Sequence, residues 1–176
     1  MRTAGAEAGK GEDAYAVVAA GLAAHPDQTD LLYESAMLAE RIDRLDVMER
    51  NLRRLIEIKP DHAHAYNALG FSLADRNLRL DEALQLIDKA LQLAPEDPFI
   101  LDSKGWVMFR RGDAQGALEA LQKAFALRAD PEIAAHLGEV LWTLGRQDEA
   151  RHTWEAAAKV SPDNAPLLGT IKKYQP

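Results

Sequence analysis

Cysteine is absent from the 176 residues, so neither disulfides nor thiolate chemistry is available. Aromatic residues make up only 6%, and threonine and valine are sparse, while alanine and leucine dominate. That bias disfavours a sheet protein and favours helix. Positive charge is short: 21 Lys and Arg stand against 28 Asp and Glu, a net charge of -7. The basic surface that phosphates need is therefore missing, and nucleic acid is excluded as an expected partner. No apolar run approaches the ~20 residues of a membrane span. The opening stretch, MRTAGAEAGKGED, has neither an apolar signal core nor a cysteine that would carry lipid. As written, the chain is expected to be cytoplasmic and not inserted in a membrane. Its compartment becomes periplasmic or outer-membrane-associated if it was cut from a longer lipoprotein.

Catalytic signatures are lacking too. Neither a G-x-S-x-G elbow nor a G-x-x-x-x-G-K phosphate loop occurs. Five histidines are present, and His62-x-His64 is the one close pair, with no acidic pair to complete a ligand set. His136 has Glu132 four residues before it and Glu139 three after, which suits a helical ion pair and not a triad. No enzyme, metal site or cofactor is expected.

What the sequence does contain is a period. Asp97-Pro98 and Asp130-Pro131 each open a copy of one pattern. Gly105 and Gly138 follow seven residues after the prolines, and Gly112 and Gly145 seven after those glycines. Counting Pro98 as position 1, position 8 holds Ala36, Gly70, Gly105 and Gly138, and position 27 holds Leu55, Ala90, Ala124 and Ala157. The pattern defines four units, 29–62, 63–97, 98–130 and 131–164, preceded by a half unit, 13–28. Residues 1–12 are expected to be disordered, and 165–176 to form a capping helix. An array of this kind points to a binding scaffold.

Each unit reads as two amphipathic helices of about 13 residues, an all-α hairpin. Asp97 and Asp130 are placed as N-caps with proline at the first helical position. Asn77, Gly112 and Gly145 break the helices apart, and the glycines offer left-handed C-caps. Small residues at positions 8, 20 and 27 let helices approach, with larger ones such as Leu69, Ile87, Leu121 and Trp154 filling the gaps. A methyl added at Gly105 or Gly138 is expected to overpack that seam, at ~1–3 kcal/mol.

Tyr66-x-x-Leu69-Gly70, and the run Asp81-Glu82-Ala83 through Lys89-Ala90-Leu91 to Pro95, resemble the tetratricopeptide repeat. The resemblance covers 13–164 and departs most in the first full unit, where Ser35-Ala36 stands for Leu-Gly. It implies an α-solenoid of stacked antiparallel hairpins in a right-handed superhelix. The first helices then line a concave groove for an extended peptide or a partner helix. The last three units also resemble the C-terminal part of bacterial tetratricopeptide proteins, including outer-membrane lipoproteins. Some of those act as adaptors for processing proteases.

On that pattern the groove positions include Tyr33, Met37, His64, Asn67, Phe71, Phe99, Asp102, Trp106, Arg110, Glu139 and Trp142. Phe71 and Trp106, both at position 9, are the foremost candidates for contact, and Asn67 has the paired donor and acceptor to hold a peptide backbone. A row of rings on a wet wall marks a surface that desolvates a partner. The competing reading is that these rings pack under the neighbouring helix. The lack of basic residues argues against a carboxylate clamp and for an apolar, basic peptide or protein ligand. The alternative to peptide binding is a homo-oligomer assembled through the faces of the end units.

Overall fold

The computed structural model describes residues 4–175, with side chains from residue 9 onward. Among the described residues the chain is all-helical, with ten helices and no strand. None of these is long and apolar enough to cross a membrane. The chain divides into two compact units, Met1–Leu69 and Gly70–Pro176.

The first unit holds α1 (Ala4–Ala24), α2 (Thr29–Arg41), α3 (Leu45–Ile58) and the start of α4 (Ala63–Asp75). α2 packs on both α1 and α3. Leu32, Ala36, Ala39, Met48, Leu52 and Leu55 form the dry centre of this packing. α1 runs through residues 4–12, where the sequence pattern suggested no regular structure; residues 1–3 lie outside the described residues. The Glu12 carboxylate, accepting from Arg44 at 2.9 Å, ties this stretch to the start of α3.

The second unit completes α4 and adds α5 (Leu80–Leu93), α6 (Pro98–Arg110), α7 (Ala114–Leu127), α8 (Pro131–Thr143), α9 (Gln147–Val160) and α10 (Ala165–Tyr174). α6 packs on α5 and α7, α8 on α6, α7 and α9, and α10 on α8 and α9. Small residues at the seams set these approaches. A Cβ on Gly105 would lie 2.6 Å from Leu121 Cγ, and one on Gly70 would lie 2.7 Å from Ile87 Cγ1.

Local chemistry sets the helix ends. Asp97 Oδ1 accepts from the amides of Phe99 and Ile100, and Asp130 Oδ1 from those of Glu132 and Ile133. At the far end of each first helix one residue turns left-handed: Asp43, Asn77, Gly112 and Gly145, with φ of 63°, 57°, 91° and 81°. The amide of the next residue then reaches back five positions, as Asp113 does to the Met108 carbonyl at 2.9 Å and Arg146 to that of Leu141 at 2.9 Å. This closure satisfies carbonyls that the helix end leaves over and reverses the chain into the second helix. Leu167, fully buried, seats α10 on the last hairpin. Leu168, the next residue, is 43% exposed.

Candidate functional site

In the second unit the first helices bring one set of rings and charges together. Trp106 on α6 stacks on His136 of α8, ring centroids 4.2 Å apart, and packs on Phe109 at 5.4 Å. Its indole Nε1 donates to Asp75 Oδ1 on α4 at 3.2 Å. Phe71 on α4 approaches the other side of the same cluster, 6.0 Å from the His136 ring. Arg110 spreads its guanidinium over the Trp106 ring at 4.9 Å and donates to the Asp75 backbone carbonyl at 3.2 Å. Trp106 is consequently only 4% exposed. The expectation that it stands on an open wall is corrected: a neighbouring imidazole covers its face, and its one polar atom is already satisfied.

Two acids follow the same course. Asp102 Oδ1 lies 2.8 Å from His136 Nδ1. Glu139 Oε1 accepts from both Lys173 Nζ at 2.8 Å and Tyr174 Oη at 2.7 Å, two groups carried by α10. Both carboxylates are buried, at 7% and 8% exposure. They serve the chain's own helices, because an unpaired carboxylate is costly to bury and a partnered one is not. Trp142 is half-buried between Trp154 and Tyr174, at 5.9 and 5.4 Å. Around the cluster, Phe71 is half-buried, and Asp75 and Arg110 are exposed and ion-paired with each other at 3.8 Å. Phe99 is 40% exposed, under the guanidinium of Arg128 at 5.4 Å and outside the cluster.

Electrostatics tune this cluster. Burial lowers the His136 pKa, but Asp102, with Glu139 and Asp75 further off, more than offsets it and holds the imidazole above its ordinary value. Burial, and then the hydrogen bond to Glu139, push the Tyr174 phenol well above the usual tyrosine range. No group of three or more potential metal ligands gathers among the described residues.

In the first unit, Tyr33 packs against His62, ring centroids 5.5 Å apart, and burial raises its phenol pKa. His62 Nδ1 accepts from the Ala65 amide at 3.0 Å and so caps the start of α4. Met37 is half-buried and His64 exposed. Asn67 is half-buried, and its Oδ1 is shielded from solvent without a hydrogen-bond partner among the described residues.

Sequence reasoning paired His136 with acids on its own helix and missed Asp102 as its partner, and it missed Lys173 and Tyr174 as partners of Glu139. The signal was present: Asp102 and His136 are 34 residues apart, as are Glu139 and Lys173, one full period in each case.

The comparisons with known proteins agree with this architecture. A family model described as tetratricopeptide repeat matches residues 49–98 and 104–166. A TPR repeat-containing protein of Pseudomonas aeruginosa is 47% identical over 128 residues, covering 73% of this chain and 22% of that protein. A human protein O-mannosyl-transferase is 25% identical over 173 residues, covering 94% of this chain and 19% of that enzyme. The chain thus spans only about a fifth of these curated relatives. The crystal structure of a thermophilic TPR protein of Thermus thermophilus superposes with a TM-score of 0.83 at 23% identity, covering 94% of this chain and 90% of that one.

Proposed function

This chain belongs to the tetratricopeptide-repeat family, whose members generally mediate protein–protein interaction, and on that premise we propose that it is a non-catalytic scaffold. Its partner is a peptide or helix laid against the first-helix face of the second unit. The observation that carries this reading is the division of labour on that face. Trp106, Asp102 and His136 are locked together from within, while Phe71, Asp75 and Arg110 stay accessible around them. A surface fixed before binding loses little side-chain entropy on binding. Phe71 offers an apolar contact, and the Asp75 carboxylate, whose Oδ1 accepts from Trp106 and lies 3.8 Å from the Arg110 guanidinium, offers its second oxygen to a basic side chain. An apolar segment carrying Lys or Arg fits both. The transferase relative shares too little of its length with this chain to bring its activity along.

Site-specific photo-cross-linking tests the reading. p-Benzoylphenylalanine placed at Phe71 is expected to trap a partner polypeptide in expressing cells. The same probe at Val160, exposed on α9, is expected to trap none. Equal trapping at both sites, or none at Phe71, overturns it.

A further inference from the structure

Outside that face, the first unit carries a cleft between α1 and α3, with about 500 Å3 of free volume, within the range of small-molecule sites. α2 packs on both α1 and α3 and forms its floor. Tyr15 and Leu22 of α1, Leu32 of α2 and Val47 of α3 supply apolar wall.

Two features make this more than a gap between helices. The first is its floor. Ser35 takes the position that Leu137 occupies at the same register of the last unit, and Asn51 stands where that unit has Thr153. The two are buried, at 1% and 7% exposure, and Asn51 Nδ2 donates to Ser35 Oγ at 3.1 Å. Neither side chain makes another hydrogen bond among the described residues, so the Ser35 hydrogen and the Asn51 carbonyl oxygen keep their capacity.

The second feature is the cation at the mouth. Arg53 pairs with Glu49 at 2.8 Å, and Arg54 pairs with Asp27 at 2.9 Å and with Glu57 at 3.0 Å. Arg50, exposed and lining the same cleft, makes no ion pair among the described residues. The comparable cleft between α7 and α9 shows the contrast: leucines Leu137 and Leu141 line it, and Asp148 and Glu149 stand beside it. Neither arginine nor lysine lines that cleft, and His152 stands there at the register of Arg50.

We propose that the α1–α3 cleft binds a small monocarboxylate with an apolar body. The carboxylate pairs with Arg50, the alkyl or aryl body lies along Tyr15, Leu22, Leu32 and Val47, and the Ser35–Asn51 pair sits beneath. A single uncommitted arginine on a chain of net charge -7 selects one negative charge over several.

The test is a titration of the whole chain with 4-phenylbutyrate, followed by amide chemical shifts. Saturable shifts are expected along α1, at Leu32 to Ser35 and at Val47 to Arg54. Arg50→Gln, a surface change, is expected to weaken binding about tenfold, as is replacing the acid by 4-phenylbutyramide. Ser35→Leu with Asn51→Thr installs the side chains that the last unit carries at this register. It is expected to keep cooperative unfolding and abolish the shifts. Equal affinity for acid and amide, unchanged affinity in Arg50→Gln, binding that survives the floor change in a folded variant, or no saturable shift at millimolar ligand overturns the proposal.

Discussion

Gly138 has no side chain because the Trp154 indole occupies the place where one would stand. The indole is fully buried, and its Nε1 donates to the Ala135 carbonyl at 3.3 Å, one turn before Gly138 on the same helix. The ring cannot step aside without breaking that bond. Gly138→Ala is therefore expected to destabilise by about 3 kcal/mol, the top of the range for overpacking. Gly169→Ala, in a helix with nothing within 4 Å of the new methyl, is expected to stabilise by about 0.5–1 kcal/mol. Urea unfolding of both variants checks the contrast.

Trp106→Ala is expected to cost about 3–5 kcal/mol, as an aromatic removed from a closed site. Phe71→Ala, at a half-buried ring, is expected to cost about 1 kcal/mol. Thermal unfolding by circular dichroism separates them. A Trp106 variant that melts like the parent shows that the ring is not held as described.

His136 makes stability depend on pH in a defined direction. Its folded pKa is raised above the ordinary 6.5, so the protonated form is favoured in the folded state. The resulting stability is complete below the unfolded pKa and is lost as pH rises through the folded value. Unfolding midpoints are expected to fall as the solution is taken upward from about pH 6.5. His136→Gln is expected to flatten that slope. An equal slope in both proteins assigns it to other groups.

Tyr174→Phe removes one of the two donors to the buried Glu139 carboxylate. The expected cost is about 1.5 kcal/mol, with faster amide exchange in α10. Because Tyr174 packs on Trp142 and Trp154, tryptophan emission reports the loss directly.

The architecture was legible because its causes are local. Asp97 with Pro98, and Asp130 with Pro131, start helices by the same amide geometry wherever they occur, and Gly112 and Gly145 end them. Asp43 ends its helix with the same left-handed turn but without a glycine to announce it. The site was legible only by position. Helical periodicity puts Trp106 on the correct face of α6, yet whether that face is wet depends on His136, brought over it by the approach of α8. Ion pairing along one helix pointed His136 toward Glu132 and Glu139, while its partner, Asp102, belongs to the preceding hairpin. α1 was cut short for a related reason: its early residues have little apolar periodicity, and part of what holds them is an ion pair with Arg44, 32 residues on from Glu12.

The bonds that run from Asp102 to His136 and from Glu139 to α10 work as addresses written from one hairpin to the next. Repeats of this kind are often treated as interchangeable bricks, but these are not. Cutting out residues 98–130, or swapping the order of hairpins, would deliver His136 to a neighbour without its acid. A shortened or shuffled version of the second unit would need those addresses rewritten before it stacked.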